Sequence, residues 1–486
     1  MSFLQDTALI KENAYIGGRW VAPNHDRVLT IRNPATDHVI AHVAAMGEAD
    51  AIEAVEAAEK AFVTWKHTPA IERADMLLRW YDLIQTHTDD LAVLLTLEQG
   101  KPVAEARGEI ANAAAFVRWF AEEARRLYGD VIPAPSANEQ VLVTRSPIGV
   151  TAAITPWNFP CAMITRKVAP ALAAGCTVVL KPASQTPLSA LALAALAERA
   201  GFPAGIFNVL VGDDQAIGHV LTTHRAVRKV SFTGSTRTGR QLIRQSAETV
   251  KNVAMELGGN APFIVFDDAD IEVAVAQLIQ AKFRNAGQTC VSANRIYVQN
   301  TIHDAFVSRL RTRMTELTVG NGLDRTVTVG PLINDAAVCK VEALLRDAIR
   351  QGATCVLGGK RHAFGKHFFE PTLLTHVTDS MRIAAEETFG PVAPILVFST
   401  EEEVIARAND TQAGLASYLY STNLGRVARV SAELEYGMVG VNTCALANET
   451  APFGGVKQSG IGREGAREGL TAYTETKYIR LGGLAR

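Results

Sequence analysis

The sequence has none of the patterns that mark membrane-spanning, metal-binding or nucleic-acid-binding chains. No apolar run reaches the roughly 18 residues that a membrane helix needs, and the Ala/Leu-rich run 188–197 ends at Glu198. The six cysteines are scattered and form no close CxxC pair of a zinc or redox motif. The net charge is only −2 and both signs are interspersed, so no basic surface for nucleic acid or an anionic membrane is expected.

The start of the chain and the cysteines both point away from secretion. The segment MSFLQDTALIKENAYI lacks a basic region followed by an apolar one, so we expect no signal peptide. Scattered cysteines are typical of proteins whose thiols stay reduced. The sequence therefore predicts a cytoplasmic protein with no membrane partner, no nucleic-acid partner and no metal site.

Alternating strand and helix signals indicate an α/β fold. At 486 residues the chain is too long for one core, and we expect two or three domains. Apolar positions at helical spacing predict a helix over 50–65, with Asp50 as its N-cap. Short buried strands between helices favour parallel βαβ units and a doubly wound parallel sheet. The apolar, β-branched runs predicted to be strands are 148–154, 176–180, 206–211 and 230–232.

Cys290, in FRNAGQTC, is a candidate nucleophile, and Glu256, in MELGGNAP, is its candidate partner. A thiolate attacks a carbonyl carbon readily, and a carboxylate in a partly apolar site can take a proton from water. A cysteine with a glutamate suits acyl transfer to water, because cysteine proteases usually pair the thiol with histidine. Taken alone, each residue has a plainer interpretation: a packed core thiol for Cys290 and a surface acid for Glu256.

Two polar turns that follow predicted strands are candidate binding elements. The amide of Asn158, in PWNFP, could point at a reacting oxygen and form an oxyanion hole with the Cys290 N–H. The alternative is an asparagine that only forms a turn beside two prolines. The turn 234–239 (GSTRTG) precedes a predicted helix over 240–247, and a helix N-terminus of this kind binds anions or is simply capped. The turn matches neither the GxGxxG fingerprint nor a Walker A loop.

Short motifs along the whole chain carry a family resemblance. In chain order they are PWNFP (156–160), KPASQTP (181–187), FTGSTRTG (232–239), MELGGN (255–260), GQTC (287–290), EETFGP (386–391) and PFGGVKQSG (452–460). Their order and spacing resemble the NAD(P)-dependent aldehyde dehydrogenase superfamily from end to end. Within it, MITRKVAP, KFRNAGQTC and VNTCALANETAPFGGVK are most similar to the succinate-semialdehyde dehydrogenase branch.

This resemblance implies an aldehyde-dehydrogenase-like fold in three parts. A doubly wound, parallel-sheet cofactor domain would take 1–125 and 146–255, and an α/β catalytic domain would take 256–445. A small β oligomerisation arm, 126–145 with 446–486, would pair between subunits. The protein would then be a homo-oligomer, either a dimer or a tetramer.

The resemblance also assigns roles around the thiol. Cys290 would be the nucleophile, Glu256 the general base and Asn158 the oxyanion donor. Lys181 would bond ribose hydroxyls, because it ends a predicted strand at the ligand edge of the sheet. Many NAD-preferring relatives hold a glutamate at the position of Ser184, and that glutamate repels the 2′-phosphate of NADP. Serine removes this repulsion, so it predicts NADP as the cofactor, with NAD accepted. The positions that the resemblance assigns to the cofactor are Trp157, Lys181, Ser184, Gly234, Ser235, Leu257, Glu387 and Phe389.

Two arginines suggest the substrate. The positions that match the family's substrate tunnel are Arg166, Arg284, Phe159 and Phe453. Two guanidiniums in an apolar tunnel would bind a carboxylate by forked, charge-assisted bonds, unless each pairs with an acid of the protein on its surface. The chain departs from the branch twice. Ala447 stands where a serine often helps hold the carboxylate, and Ser292 stands where several relatives carry a second cysteine.

The predicted function is oxidation of succinate semialdehyde, or a similar small ω-carboxylated aldehyde, to the dicarboxylic acid with NADP through a thioester on Cys290. Glutarate semialdehyde is the nearest alternative, because one methylene is discriminated by only roughly 1–3 kcal/mol. A generalist aliphatic aldehyde dehydrogenase comes next. A further alternative is a non-catalytic relative that is kept as a structural protein. The candidate site residues are intact, which argues against it: Cys290, Glu256, Asn158 and Lys181.

Overall fold

The computed structural model describes residues 4–22 and 27–484. Residues 1–3 and 23–26, in the predicted cofactor domain, and 485–486, in the predicted arm, lie outside the described residues. The elements before the catalytic motifs are β1 (Ala14–Ile16), β2 (Arg19–Val21), β3 (Val28–Arg32), β4 (Val39–Ala44), α1 (Glu48–Trp65), α2 (Ala70–Thr86), α3 (Thr88–Gln99), α4 (Val103–Ala124), β5 (Asp130–Ile132) and β6 (Gln140–Pro147).

The middle of the chain continues the alternation. Its elements are β7 (Val150–Ile154), α5 (Ala162–Ala174), β8 (Thr177–Lys181), α6 (Pro187–Arg199), β9 (Phe207–Val209), α7 (Asp214–Thr223), β10 (Val227–Thr233), α8 (Thr236–Ala247), β11 (Asn252–Glu256), β12 (Ala261–Val265), α9 (Ile271–Phe283), β13 (Ala293–Gln299), α10 (His303–Met314) and α11 (Asp335–Arg350).

The last third holds β14 (Thr354–Leu357), β15 (Thr372–Thr375), α12 (Arg382–Ala385), β16 (Val392–Phe398), α13 (Glu401–Asn409), β17 (Ala416–Tyr420), α14 (Leu424–Glu433), β18 (Met438–Val441), β19 (Gly460–Ile461), α15 (Ala466–Thr471) and β20 (Thr474–Leu481). Short 3₁₀ turns cover Thr7–Leu9, Arg284–Gly287, Asn300–Ile302 and Lys457–Ser459.

The first sheet is doubly wound. Among the described residues its order is β19-β11-β10-β7-β8-β9-β1-β2. The strands from β11 to β9 in that order are parallel, whereas β19, β1 and β2 add antiparallel edges. The chain winds outward from β7 through β8 to β9 and then returns to β10 and β11. The predicted doubly wound parallel sheet is confirmed, and its order reverses between β7 and β10, where the strand ends leave a crevice for a ligand.

The second sheet carries the segment with the thiol. Its order in the described chain is β14-β15-β16-β13-β12-β17-β18, parallel except for β14. Cys290 lies just before β13. The predicted second α/β unit is therefore confirmed as part of the fold.

A smaller antiparallel sheet has the order β20-β6-β5, and β3 pairs with β4 in a hairpin. β20 pairs with β6 along its whole length, from Thr474 opposite Pro147 to Leu481 opposite Gln140. The segment assigned to the arm also contains β19, which pairs with β11 of the first sheet. The domain boundaries given above remain predictions.

Helix starts differ from the sequence expectations at two places. The N-cap of α1 is Gly47, and Asp50 lies inside the first turn, where its carboxylate accepts the Gly47 N–H at 2.7 Å. The prediction of Asp50 as N-cap is wrong, because an acid three residues into a helix reaches back to the cap. Helix α8 begins at Thr236 rather than at 240, because the Ser235 hydroxyl accepts the Thr238 N–H and caps it.

Two helices behind the first sheet are buried for different reasons. Helix α6 is an Ala/Leu helix whose residues Pro187 to Ala197 are all buried. In the described chain, no helix is long and apolar enough to cross a membrane. Helix α5 packs against α4 and is buried along its whole length, although it carries Arg166 and Lys167. Helix α5 thus holds two cations in the interior beside the thiol segment.

Candidate active site

Two cavities meet at the Cys290 side chain. The first, which we call the switch-point cavity, has a volume of about 400 Å³ and lies at the carboxyl ends of β7 and β10. The second, which we call the arginine cavity, has a volume of about 330 Å³ and lies beside α4 and α5. Met163 and Cys290 line both. A molecule in either cavity can therefore reach the sulfur without passing through the other.

A left-handed turn positions the thiol. Asn285, Ala286 and Gly287 have φ angles of 53°, 54° and 77°. This conformation costs a residue with a side chain roughly 1–2 kcal/mol, so surrounding contacts must impose it. The Asn285 amide donates to the main-chain oxygens of Asn158 at 3.0 Å and Gln288 at 3.2 Å, and its oxygen accepts a bond from the Gln99 amide at 2.8 Å.

Asn158 follows β7 and is fixed by a buried network. Its Nδ2 donates to the Gln288 carbonyl at 3.0 Å. A carboxamide has two N–H groups, so one remains for a ligand oxygen. The Asn158 carbonyl accepts a bond from Lys101 Nζ at 2.7 Å, and Lys101 is paired with the buried Glu109 at 2.5 Å. Sequence reasoning missed Lys101 and Glu109, because both lie in a charged, alanine-rich run of the kind that usually forms a solvated helix.

The environment of Cys290 disfavours the thiolate in the protein alone. Burial raises the pKa of the Cys290 thiol to about 12, and the carboxylates of Glu387 and Glu256 push it in the same direction. The guanidiniums of Arg166 and Arg284 oppose this shift. In the protein without ligands these surroundings therefore favour the protonated thiol.

Glu256 is the last residue of β11 and is buried. Its pKa lies well above the usual range, chiefly because of burial and then because of the Glu464 carboxylate, while Lys167 and Arg166 oppose the shift. Its Oε2 has no hydrogen-bond partner among residues 4–22 and 27–484. A carboxylate with a raised pKa is a stronger base toward water than an exposed one. The buried Lys167–Glu464 ion pair beside it was missed, although Lys167 is adjacent to Arg166 in MITRKVAP.

The switch-point cavity gathers most of the predicted cofactor positions. The rings of Trp157 and Phe389 meet edge to face at 5.5 Å, and α8 begins at its wall with Ser235 as N-cap. Burial raises the pKa of Glu387 to about 7, and its Oε1 accepts the Gly259 N–H at 3.2 Å. The apolar slot fits a ring, the helix N-terminus fits a phosphate, and the buried carboxylate fits a ribose. The predicted cofactor residues in the lining are Trp157, Gly234, Ser235, Leu257, Glu387 and Phe389.

The other two predicted cofactor residues lie together at the end of β8. Lys181 is its last residue, and Ser184 follows it in the next turn. Both side chains donate to the same carboxylate oxygen of Asp214, the first residue of α7. Sequence reasoning missed Asp214, because the pair Asp213-Asp214 has the plain appearance of a helix cap.

The arginine cavity brings the predicted substrate residues together. Arg166 is 3% exposed, and its guanidinium lies between the rings of Phe116 at 4.7 Å and Phe453 at 4.5 Å. Its Nε and Nη1 have no acceptor in the part of the chain that the structure describes. Burial lowers the pKa of Arg166. Arg284 is exposed and lies over the Phe159 ring at 5.4 Å.

Other lining residues complete the arginine cavity. Ala447 contributes a methyl group in its wall, and Glu105 contributes a carboxyl whose pKa is raised to about 7, mainly by burial. Glu105 also accepts the Asn285 N–H at 2.8 Å and so ties this wall to the turn before the nucleophile. Ser292 is buried near the thiol, and its hydroxyl has no partner within the described ranges.

The thiol lies between an apolar slot at the sheet reversal and a cavity that holds a buried carboxyl and a buried guanidinium. The sequence motifs predict this arrangement. The aldehyde dehydrogenase family model matches residues 20–479. The chain belongs to the aldehyde dehydrogenase family. It is an oxidoreductase, and the predicted family, fold class and enzyme class are confirmed.

Individual relatives are similar over the full length. A 3-sulfolactaldehyde dehydrogenase of Pseudomonas putida is 60% identical, with 99% of each chain covered. An NADP(+) succinate-semialdehyde dehydrogenase of Escherichia coli strain K12 is 54% identical, again with 99% of each chain covered. The crystal structure of a succinate-semialdehyde dehydrogenase from Burkholderia pseudomallei superposes with a TM-score of 0.98 at 55% identity, covering 99% of each chain. The predicted resemblance to this branch is confirmed. The roles of individual site residues remain predictions.

Proposed function

We propose that this aldehyde dehydrogenase oxidises succinate semialdehyde, or a similar ω-carboxylated aldehyde, to the dicarboxylic acid, with NADP as cofactor and NAD accepted. The observation that carries the substrate class is Arg166. Its guanidinium is buried beside the thiol, and two of its nitrogens lack an acceptor among the described residues. An unpaired buried cation is costly, and a substrate carboxylate removes that cost.

The two arginines divide the work of binding. Arg166 lies deep in the cavity and would take the carboxylate by charge-assisted bonds. Arg284 is exposed and would attract the anion toward the cavity before it enters. The rings of Phe159 and Phe453 line the same cavity as Cys290, so a carboxylate bound at Arg166 would leave the aldehyde end free to reach the sulfur.

The chain's own groups account for each proton and bond change. Cys290 Sγ forms a bond to the aldehyde carbon, and its proton leaves to water. Asn158 Nδ2 and the Cys290 N–H hold the resulting oxyanion. Trp157, Glu387 and Phe389 would hold a nicotinamide, which would supply the acceptor for the hydride lost from the aldehyde carbon as the thioester forms on Cys290. Glu256 then takes a proton from water, and the hydroxyl adds to the thioester carbon. The C–S bond breaks to give the acid and the thiolate, which takes the proton from Glu256 and becomes the thiol again.

The cofactor proposal places the nicotinamide end in the switch-point cavity and the adenosine ribose at Lys181 and Ser184. The strand-order reversal supports it, because ligands of such sheets bind at the carboxyl ends of the strands. The free N–H groups at the start of α8, next to Gly234 and Ser235, suit the pyrophosphate. NADP is carried over from the serine at position 184 and from the E. coli relative's name.

A second candidate substrate is 3-sulfolactaldehyde, the substrate in the name of the Pseudomonas putida relative. A sulfonate is also an anion with several acceptor oxygens, so Arg166 suits it as well as a carboxylate. Ala447 lines this cavity and favours the candidate, because alanine is smaller than the serine that relatives often hold there and leaves more room for a sulfonate. Glutarate semialdehyde, with one more methylene, stays an alternative, because one methylene is discriminated by only roughly 1–3 kcal/mol.

A steady-state panel separates these candidates. It compares kcat/KM for succinate semialdehyde, glutarate semialdehyde, 3-sulfolactaldehyde and propanal, each with NADP and with NAD. The proposal expects every anionic aldehyde to exceed propanal by about a hundredfold, the worth of one to two charge-assisted bonds. Propanal within threefold of all anionic aldehydes would show a generalist enzyme and would end the proposal.

We also propose that the chain forms a homo-oligomer, dimer or tetramer, through the sheet β20-β6-β5, and acts in the cytoplasm. The exposed apolar side chains of Val131 and Tyr478 on that sheet support the first point. The six free cysteines suit a reducing compartment and support the second. Light scattering of the purified protein and of a Tyr478→Lys variant tests the interface, which predicts a lower mass for the variant.

A further inference from the structure

A carboxylate occupies the donors that the proposed function assigns to the adenosine ribose. Asp214 Oδ1 accepts a bond from Ser184 Oγ at 2.9 Å and also from Lys181 Nζ. Lys181 Nζ donates in addition to the Pro182 carbonyl at 3.1 Å, and Ser184 Oγ lies 3.2 Å from the Gly212 carbonyl. Asp214 therefore already balances the charge of Lys181 before any cofactor binds.

The fold explains why Asp214 is available for this contact. The strands β8 and β9 are parallel neighbours, so the residues after their carboxyl ends meet at one edge of the sheet. Asp213 is the N-cap of α7 and accepts the Gln215 and Ala216 N–H groups. Because Asp213 caps the helix, the Asp214 side chain is not needed as a cap. Its carboxylate is 67% exposed, whereas the Lys181 side chain is 6% exposed, so Asp214 can turn away while Lys181 stays.

The two cofactors differ at the atom that faces this pair. NAD has a ribose 2′-hydroxyl, which can donate to a carboxylate while the Lys181–Asp214 pair persists. NADP has a 2′-phosphate, which carries negative charge and must displace Asp214 from Lys181 or lie beside it. The carboxylate thus acts in opposite directions on the two cofactors.

We propose that Asp214 is a specificity-determining residue that supplies, from the start of α7, the carboxylate that many NAD-preferring relatives hold at the position of Ser184. This inference rests on the proposed cofactor site at Lys181 and Ser184. Asp214 keeps the affinity for NADP down and supports NAD, so that the enzyme uses both. A serine at position 184 alone does not make the site specific for NADP.

Equilibrium binding of NAD and NADP, measured by calorimetry without aldehyde, tests the proposal on the full-length protein. The informative variant is Asp214→Asn, with Asp214→Ala as a second variant that also removes the acceptor. The matched control is Asp213→Asn, which removes the same charge one residue away and keeps the helix cap, because asparagine caps as well as aspartate.

The wild type is expected to bind both cofactors with Kd values within about tenfold of each other. Asp214→Asn should tighten NADP binding at least about tenfold and weaken NAD binding a few-fold, since one like charge beside the phosphate is removed. Asp213→Asn should change the ratio of the two Kd values by less than about threefold, because its carboxylate is bonded to the N–H groups of α7 and acts on Lys181 only as a weaker, through-space charge.

An unchanged ratio in both Asp214 variants would overturn the proposal, as would an equal shift in the Asp213 control. Lys181→Ala separates this failure from failure of the proposed function. If Lys181→Ala weakens NADP binding while the Asp214 variants do nothing, only the role of Asp214 is wrong. If Lys181→Ala also leaves binding of both cofactors unchanged, the cofactor site itself is misplaced.

Discussion

Replacing Arg166 with methionine tests substrate recognition most directly. Methionine is unbranched and fills the space between the Phe116 and Phe453 rings, but it has neither charge nor donors. Arg166 offers two nitrogens that lack an acceptor in the described chain. A hydrogen bond to a charged group contributes about 1.5–3 kcal/mol, and about 1.4 kcal/mol is tenfold in rate. We expect kcat/KM for succinate semialdehyde to fall by about ten- to a hundredfold for each bond that the variant loses.

The same variant predicts an unusual stability result. Burial of an uncompensated guanidinium costs several kcal/mol, whereas each desolvated contact with a phenylalanine ring returns about 2 kcal/mol. The desolvation cost is the larger of the two, in keeping with the lowered pKa of Arg166. The melting temperature of Arg166→Met without substrate should therefore equal or exceed that of the wild type.

Steady-state kinetics with succinate semialdehyde and propanal, together with thermal unfolding, check both expectations. The propanal value should stay within about threefold, because propanal has no group for the arginine to bind. Arg284→Met is the matched control at the exposed rim and should lose less. Equal losses on both aldehydes, with a melting temperature several degrees lower, would show that Arg166 is structural and would refute the reasoning.

Three further predictions concern Cys290 and Glu256. Cys290→Ala should retain less than about one part in a thousand of the activity while its Kd for NADP, measured by calorimetry, stays unchanged; greater residual turnover means that the nucleophile is misassigned. Glu256→Gln should release about one equivalent of reduced cofactor per active site in a burst and then nearly stop, as seen by stopped-flow absorbance; a wild-type steady rate without a burst rules out the base role. Because burial raises the pKa of Cys290 to about 12 in the protein alone, its thiolate fraction should rise about tenfold per pH unit between pH 7 and pH 9. Alkylation of the Cys290 peptide by iodoacetamide, followed by mass spectrometry, should show that slope, and a plateau below pH 9 would mean that the free thiol is already activated.

The sequence was most informative where function depends on short segments that follow strands. Asn158 and Glu256 lie at the carboxyl ends of β7 and β11, and parallel strands of one sheet bring such ends to one edge. Their proximity could therefore be predicted, and so could the doubly wound sheet, since its strands are short β-branched runs. Cys290 precedes β13 of the second sheet, so its place beside them followed only from the resemblance. Arg166 was recognisable only through the resemblance, because a helix pattern alone does not say which side is buried.

Contacts between distant segments could not be predicted. Lys101 and Glu109 become buried partners only when α4 packs against α5, and Lys167 meets Glu464 from the other end of the chain. Asp214 faces Lys181 because β8 and β9 are neighbours in the sheet, which an order along the chain does not reveal. The left-handed turn at Asn285 is marked in the sequence only by the glycine that follows it.

Because, among the described residues, the two cavities meet only at the Cys290 side chain and Met163, the aldehyde site and the cofactor site can evolve independently. Met163 and Cys290 are the lining residues that the cavities share, so the wall around Ala447 and Phe453 can change without altering the slot around Trp157 and Phe389. Relatives more than half identical to this chain carry different aldehydes in their names. A dicarboxylate inhibitor should accordingly leave the Kd for cofactor unchanged, and libraries that reshape one wall can be screened without compensating changes in the other.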